Sequence, residues 1–350
     1  MLIHIVAVAI ALAAPPAPTD CAAVFDSAAA VVLRDYAGSP AYLAARGAAG
    51  QRRTDSLRAV ARRTPAGRCT LVLEAFLADF ADPHLVVVQE VAAPPPAGAT
   101  RLPAAPAAPA LRWFDDSTAV LVLPSFSLRL RPAIDSLLRR ELDRLERTAL
   151  LIVDVRGNGG GCNCSYDLLR DLLYTNPVRV PGEEIWATPG NREQYRAWRD
   201  DPAQADDFRQ VIRQVWPALA AGDHQWVSFA PEQVYRRPRS SRLPRQVGIL
   251  FDHACASSCE DLLLEAVQST KVKTFAGAAS AGASRYGNVR TVLLPGGARL
   301  RIPTSRSGGS TTAGGPGILP QVPIPRDTAD QLAAVLGRLR PGPVRTSPPA

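Results

Sequence analysis

The chain has 350 residues, of which 47% are hydrophobic and 21% are charged, so it is long and apolar enough for a folded core and unlike a disordered protein. Its formal net charge is +8, carried almost entirely by arginine. The charged residues are scattered along the chain, and the sequence contains no zinc-finger or RNA-binding motif, which argues against nucleic acid as a partner. Association of this basic protein with the cell envelope remains an open alternative.

The N-terminal segment MLIHIVAVAIALAAPPAPTDC predicts a signal peptide over residues 1–14. Its apolar run is too short to span a bilayer, and Ala11-x-Ala13 is typical of a cleavage site. The segment lacks the Lys or Arg expected near its start, so a buried N-terminal helix is the alternative. The signal peptide predicts a secreted or periplasmic protein.

Residues 22–84 carry helical periodicity in three stretches and predict an N-terminal helical bundle. We expect a disulfide between Cys21 and Cys69 to tie this bundle together, because disulfides persist outside the cytoplasm. Residues 85–110 predict one strand, LVVVQEV, followed by a Pro/Ala linker.

Residues 111–340 alternate strand and helix patterns and predict a single α/β core. The stretch 181–245 differs, because it is rich in aromatic residues and punctuated by proline. We predict that it forms a helical cap whose aromatic residues line a hydrophobic substrate cleft. After the cap, NVRTVLLPGGARLRIPT predicts a hairpin, TADQLAAVLGRLR a last helix, and residues 341–350 a Pro-rich tail.

The segment LLIVDVRGNGGG at 150–161 is a buried strand running into a glycine loop. Such a loop allows backbone N–H groups to approach a ligand closely. A nucleotide site is a poor interpretation, because Cys162 occupies the last position of a G-x-G-x-x-G and no Gly-Lys-Ser/Thr follows. A simple strand-to-helix turn is the other interpretation.

The segment DHACASSCEDLLLEAVQ at 252–268 contains Ser257-x-x-Glu260 before an apolar run. This spacing is typical of a capping box, in which the serine and the glutamate satisfy free N–H groups at a helix start. A serine at a helix N-terminus can also be a nucleophile beside the positive end of the helix dipole. The two roles are compatible.

The glycine loop followed about a hundred residues later by ACASSCEDLLLEAVQSTKVKTFAG resembles the S41 peptidases, which include C-terminal processing proteases and the tricorn core protease. The resemblance extends through YGNVRTVLLPGGARLRIPTSRS and GILPQVPI, and covers about 110–325. It implies a crotonase/ClpP-like β-β-α core, with Ser257 as nucleophile. It also implies oxyanion N–H groups from Ser258 and from Gly159 or Gly160.

The sequence departs from the processing proteases at two points. Their catalytic lysine lies 25 residues after the serine, where this chain has Gly282. The PDZ domain that they insert before the core is replaced by the Pro/Ala linker. A glutamate found near the late G-x-x-P segment of tricorn-like relatives is also missing from TTAGGPGILPQ.

A serine nucleophile needs a base, and four histidines are present, of which His4 belongs to the predicted signal peptide. His84 in ADPHLVVV resembles the Asp-x-His segment that supplies the base in PDZ-less members such as the nisin-resistance proteases. Asp82 is the candidate for orienting it, although such an aspartate can also simply hold a turn. His253 ends a strand and His224 lies in the insertion, so both are weaker candidates.

Four further cysteines form two close pairs, Cys162 with Cys164 and Cys255 with Cys259. Their C-x-C and C-x3-C spacings do not match the pairs that structural zinc sites favour. We expect disulfides or buried thiols here, and we predict neither a metal nor a cofactor.

These features predict a secreted or periplasmic serine peptidase of S41 type that cleaves peptides or unfolded proteins with a Ser257/His84 dyad. Asp82 and Glu260 would support the dyad. The alternative is a catalytically inactive S41-like protein that binds peptides or envelope components, which the missing lysine and glutamate favour. A crotonase-like acyl-CoA enzyme is a third interpretation that the predicted export disfavours.

Overall fold

The computed structural model describes residues 20–88, 108–237, 244–308, 317–325 and 330–339. The predicted signal peptide, most of the Pro/Ala linker and the Pro-rich tail lie outside the described residues. None of the helices within these ranges is long and apolar enough to cross a membrane.

The helices fall into an N-terminal group, a group around the main sheet and a pair between two strands. They are α1 (Cys21–Asp35), α2 (Ser39–Ala61), α3 (Cys69–Leu77), α4 (Arg131–Leu145), α5 (Asp167–Leu173), α6 (Pro189–Asp200), α7 (Asp206–Ala221), α8 (Ser258–Ala266) and α9 (Gln331–Leu339).

The strands belong to two larger sheets and one small antiparallel pair. They are β1 (Val86–Val88), β2 (Ala110–Asp115), β3 (Thr118–Val122), β4 (Leu150–Asp154), β5 (Val178–Val180), β6 (Glu183–Ala187), β7 (Gln225–Ala230), β8 (Gln233–Tyr235), β9 (Gln246–Leu250), β10 (Val272–Ala276), β11 (Tyr286–Leu293), β12 (Arg299–Ser307) and β13 (Val322–Pro323).

The main sheet has the order β13-β10-β9-β4-β3-β2, and all its neighbouring strands are parallel except β2 and β3. Strands β4 and β9 are almost continuously apolar because helices cover both faces of a parallel sheet. Helices α4, α5 and α8 contribute to the core on one face, and α9 contributes to the core on the other. The predicted mixed α/β class is confirmed.

The alternation of strands and helices also determines where loops meet. Strands β4 and β9 are adjacent and parallel, with Ile152 opposite Gly248 and Asp154 opposite Leu250. Their carboxyl ends therefore lie at the same edge of the sheet, which is where α/β folds bind ligands. The glycine loop follows β4 and Ser257 follows β9, so the fold brings the two motifs together.

The N-terminal bundle consists of α1, α2 and α3, and Asp20 caps α1 by accepting a hydrogen bond from the Ala23 N–H at 2.7 Å. Phe25 and Phe76 meet edge to face inside the bundle. The expected disulfide joins Cys21 and Cys69. The apolar core of the bundle continues onto the hairpin β11–β12, whose Pro-Gly-Gly turn forms as predicted.

The segment 181–245 is less helical than the sequence indicates. It contains the helices α6 and α7, but also β6 and β7, which pair with each other and join the second sheet through β12. The second sheet has the order β1-β12-β6-β7, and its fifth strand, β11, pairs with β12. Tyr195, Trp198, Phe208 and Phe229 pack together between these helices and this sheet.

Candidate active site

Ser257 occupies a strained turn between β9 and α8. Its backbone has φ 56° and ψ −124°, a conformation that non-glycine residues rarely adopt and that costs about 1–3 kcal/mol. The Ser257 Oγ makes no side-chain hydrogen bond to the start of α8. The predicted capping box is therefore wrong, because an N-cap serine normally has extended φ and ψ to reach the helix N–H groups. Ser257 instead lines a cavity.

Glu260, the other half of the predicted capping box, is fully buried and faces a different loop. Its carboxylate accepts hydrogen bonds from the N–H groups of Gly282 at 2.7 Å and Ala283 at 2.6 Å, and from Ser280 Oγ. This is the loop in which the processing proteases carry their lysine. Glu260 thus holds part of the cavity wall in place, since Ala283 lines the same cavity as Ser257.

The glycine loop packs directly against the Ser257 turn. A Cβ added at Gly160 would lie 2.5 Å from the Ala256 carbonyl oxygen and 2.9 Å from Ser257 Cβ. The Asn158 carbonyl accepts a hydrogen bond from the Ala256 N–H at 3.2 Å. Only glycine allows the two loops to approach this closely, and Gly160 also has a φ of 91°.

The backbone N–H groups beside Ser257 differ in their availability. The Gly160 N–H donates to Asn158 Oδ1 at 2.9 Å, so it is already engaged. Within the described part of the chain, the N–H groups of Gly159 and Ser258 donate no hydrogen bond. Of the two predicted glycines, Gly159 therefore has the N–H that a substrate carbonyl could use together with the N–H of Ser258.

His84 lies in the loop between α3 and β1, with 12% of its side chain exposed. Its backbone N–H donates to Asp82 Oδ1 at 2.8 Å, while its ring Nδ1 is 3.9 Å from the same oxygen. The Tyr36 hydroxyl from the N-terminal bundle donates to Asp82 Oδ2 at 2.7 Å. Asp82 is thus held from two sides and lies beside the imidazole.

Burial lowers the pKa of His84, and the charge of Asp82 opposes this effect. Burial also raises the pKa of Asp82. The charge of Glu260 also opposes the effect of burial on the pKa of His84. Because burial is the larger effect and lowers the pKa of His84 below 6.5, the imidazole is neutral near pH 7 and can accept a proton.

The predicted pair of Ser257 and His84 is not joined by a hydrogen bond in this structure. Among the described residues no hydrogen bond joins the His84 ring to Ser257 Oγ, and the His84 Nδ1 is buried without a partner. Interaction with the Tyr286 backbone raises the pKa of His84, and Tyr286 lines the same cavity as Ser257. The other two histidines are weaker candidates for the base. His253 is exposed and its ring contacts the Ala279 carbonyl, and His224 pairs with Asp223.

The cavity beside Ser257 has a volume of about 510 Å³. Four of its lining residues are acidic and one is a cation, namely Glu183, Glu232, Asp261, Glu265 and Arg179. Burial raises the pKa of Asp261 to about 7, although the Asn163 amide opposes this by donating to its carboxylate. With four carboxyl groups and one guanidinium, the lining of the cavity is acidic in a chain that is basic overall.

The predicted aromatic lining is wrong. Tyr195, Trp198 and Trp216 pack with the helices α6 and α7 and the strands β6 and β7, and the segment 181–245 contributes to the cavity only near its strands. The sequence analysis missed Asp261, although its position four residues after Ser257 on a helix was a usable signal. It also missed Tyr36, whose contact with Asp82 spans 46 residues and has no local signal.

All six cysteines are in disulfides, with Cys162 bonded to Cys164 and Cys255 to Cys259 in addition to the bundle disulfide. Of the two alternatives that the sequence left open for these four residues, disulfides or buried thiols, the structure has disulfides. Within the described ranges no group of three His, Cys, Asp or Glu residues could hold a metal ion.

Two solved structures cover nearly the whole fold at low sequence identity. A candidate peptidase from Parabacteroides merdae is 15% identical, with a TM-score of 0.54, over 93% of this chain and 98% of that one. A lipoprotein from Streptococcus agalactiae is 15% identical, with a TM-score of 0.50, over 94% of this chain and 99% of that one.

Mature CPAF, solved as a complex with lactacystin, is 17% identical with a TM-score of 0.44. That match covers 59% of this chain, which spans only 47% of the CPAF chain. Comparison with curated protein sequences returns no significant match. The model of peptidase family S41 matches residues 117–324, which contain both the glycine loop and Ser257. The chain belongs to peptidase family S41.

Proposed function

We propose that this protein is a serine peptidase in which Ser257 is the nucleophile and His84 is the general base. The observation that carries the proposal is the strained Ser257, which lines the cavity and packs against the glycine loop, while the N–H groups of Gly159 and Ser258 donate no hydrogen bond within the described residues. A strained nucleophile at a helix start, with backbone donors beside it, is suited to acyl transfer.

In the proposed reaction Ser257 Oγ attacks the carbonyl carbon of the scissile peptide bond, and His84 takes the hydroxyl proton. The N–H groups of Ser258 and Gly159 stabilise the oxyanion of the tetrahedral intermediate. The amine then leaves with the proton from His84, and water hydrolyses the acyl-enzyme by the same steps.

Asp82 and Tyr36 act in this proposal as positioning residues for His84. The dyad has to close before the proton can move, and catalytic hydrogen bonds commonly tighten only when substrate binds. A substrate in the cavity contacts Tyr286, whose backbone interacts with the His84 ring, so substrate binding and dyad closure would involve the same wall.

A serine-directed fluorophosphonate probe tests the proposal directly. We expect the probe to label the unmodified protein once per chain, and the Ser257→Ala variant not at all. Ser284→Ala is the matched control, because Ser284 lines the same cavity and its loss should leave labelling intact. Absence of labelling in the unmodified protein would favour the alternative, an inactive peptide- or envelope-binding protein, for which the open dyad is the supporting observation.

We further propose that the protein acts outside the cytoplasm, as a secreted or periplasmic enzyme. The predicted signal peptide and the three disulfides support this location, since reducing compartments disfavour disulfides. Mass spectrometry of the exported protein should find a mature N-terminus near Ala14. An intact Met1 in exported material would contradict it.

The pH dependence of peptidase activity should report the His84 base. Since burial lowers its pKa from 6.5, the neutral form persists to more acidic pH, and kcat/KM should fall only below about 6.5. Asp261, whose pKa is raised to about 7, lies in the same cavity and needs a control. The acidic limb of the pH profile should remain in Asp261→Asn; its disappearance would assign the limb to Asp261 and count against His84.

The charge of the cavity predicts a preference for substrates with a basic side chain. Glu265 and Glu232 are paired with Arg170 and Arg179. The Asp261 carboxylate, by contrast, accepts a hydrogen bond from the neutral Asn163 amide at 3.1 Å and has no cationic partner within the described residues. A substrate cation would supply the missing counter-charge. Because a hydrogen bond to a charged group contributes about 1.5–3 kcal/mol, we expect roughly 10- to 100-fold higher kcat/KM for an arginine peptide than for its norleucine analogue.

Asp261→Asn should reduce that preference, and high salt should weaken it. Glu232→Gln is the control, since Glu232 is 54% exposed and already paired with Arg179. Equal rates for the arginine and norleucine peptides at low ionic strength would contradict the prediction without affecting the assignment of Ser257.

A further inference from the structure

The turn that carries Ser257 is enclosed by a covalent ring. Cys255 and Cys259 form a disulfide with their Cα atoms 5.4 Å apart, and both residues are fully buried. Only Ala256, Ser257 and Ser258 lie between them. The ring therefore contains the candidate nucleophile and the N–H group that follows it.

The disulfide acts together with the packing of the glycine loop to hold this turn in its unfavourable conformation. The start of α8 has no side-chain cap, so the usual restraint on a helix N-terminus is missing. Backbone hydrogen bonds also join the ring to its surroundings, from Ala281 N–H to the Cys255 carbonyl at 2.9 Å and from Ala256 N–H to the Asn158 carbonyl at 3.2 Å. Within the ring and at the start of α8, Cys259 N–H donates to the Ala256 carbonyl at 3.1 Å and Asp261 N–H to the Ser257 carbonyl at 3.0 Å. The disulfide spans the residue with positive φ, and so resists relaxation of that φ.

The glycine loop, which packs against the Ser257 turn, is also followed by a short disulfide ring. Cys162 follows the glycine loop directly and forms a disulfide with Cys164. The Cys162 N–H donates to the Phe126 carbonyl at 2.9 Å, and Phe126 also pairs with Gly161. Each of the two loops that supply a candidate oxyanion N–H thus ends in, or lies within, a short disulfide ring.

We propose that the Cys255–Cys259 disulfide is a positioning element of the active site, which holds Ser257 and the Ser258 N–H in the geometry for attack. The inference rests on the proposed function of Ser257. It distinguishes this disulfide from Cys21–Cys69, which closes a sequence separation of 48 residues in the N-terminal bundle. A disulfide that closes a long loop stabilises the whole fold, whereas a ring of five residues mainly restricts its own backbone.

The test compares two double variants that each remove one disulfide. In Cys255→Ala/Cys259→Ala we expect kcat and the rate of fluorophosphonate labelling to fall by about 10²-fold, the loss that a misplaced reacting group commonly causes. The KM should change less than about 3-fold, because the cavity walls remain and only the reacting group moves. The melting temperature should stay closer to that of the unmodified protein than in the control.

Cys21→Ala/Cys69→Ala is the matched control. It should lower the melting temperature clearly, while kcat and labelling below that temperature stay within about 2-fold, because the change is structural and does not alter the reacting group. Equal losses of kcat in the two variants, or unchanged kcat in Cys255→Ala/Cys259→Ala, would overturn the inference.

Reduction of the folded protein provides a second measurement that does not depend on how the variants fold. A dithiol reduces each disulfide to two thiols and is itself oxidised to a cyclic disulfide, and alkylation with mass mapping identifies which cysteines were released. We expect loss of labelling to follow release of Cys255 and Cys259, and to be reversed when they are reoxidised. Full labelling of molecules with Cys255 and Cys259 alkylated would overturn the inference.

These outcomes separate the inference from the proposed function. An unmodified protein that the probe does not label contradicts both, because the site is then not a nucleophile. An unmodified protein that is labelled, together with a fully active Cys255→Ala/Cys259→Ala variant, contradicts the inference alone.

Discussion

Replacing Ser257, His84 or both by alanine should lower kcat/KM to the same residual value, on the order of 10⁴-fold below that of the unmodified enzyme. The serine attacks only when the histidine takes its proton, so removing either one removes the same step. The double variant should therefore be no worse than the single variants. The measurement is a cycle of kcat/KM values on one fluorogenic peptide.

Two controls make this cycle specific to the proposed dyad. His253→Ala should retain full activity, because His253 is exposed and contacts only the Ala279 carbonyl within the described structure. Asp82→Asn should lower kcat less than His84→Ala does, since Asp82 acts only by positioning the imidazole. Losses at Ser257 and His84 that multiply in the double variant would show that the two side chains act independently, and would remove His84 from the role of base.

The parts of the site that could be predicted from the sequence are those with a local pattern. The buried strand β4 with its glycine loop, and the serine at the start of α8, each depend on neighbours in sequence. Once a parallel sheet is inferred, the carboxyl ends of its neighbouring strands have to meet. The sequence thus predicts that Gly160 and Ser257 are neighbours before any distance is known.

The capping box shows where a local pattern misleads. Ser257-x-x-Glu260 has the right spacing, but spacing does not report φ, and Ser257 has a positive one. That conformation is maintained by the packing of another loop against it, which is a tertiary effect. Glu260 is then free to bind the loop at 280–283 instead.

The surroundings of His84 and the 181–245 segment could not be predicted for a related reason. Tyr36 reaches Asp82 across 46 residues, and the pairing of β6 with β12 joins residues more than a hundred positions apart. Neither contact leaves a periodic signal in the sequence. The aromatic residues of the segment did indicate burial, but they could not indicate whether they would be buried by a substrate cleft or by their own helices.

Gly160→Ala should destabilise the protein by about 2–6 kcal/mol and remove most of the activity in the fraction that folds. This free energy is the sum of about 1–3 kcal/mol for backbone strain and a similar cost of overpacking. The added methyl group would lie 2.5 Å from the Ala256 carbonyl oxygen and 3.0 Å from the Ser258 nitrogen. Both atoms belong to backbone, so neither can move aside as a flexible side chain would. The positive φ of Gly160 adds to the cost.

The matched variant is Gly159→Ala in the same loop, where an added Cβ has nothing within 4 Å and the fold should tolerate it. Chemical denaturation of both variants gives the difference in the free energy of unfolding, and probe labelling of the folded fraction reports on Ser257. The Gly160 methyl group can be accommodated only if the Ser257 turn moves away from the glycine loop. Such a movement separates the N–H groups of Gly159 and Ser258, which have to converge on one oxygen atom. Equal stability of the two variants would mean that the loops do not touch as this structure describes. Normal labelling of folded Gly160→Ala would mean that their close approach is not needed for the reaction.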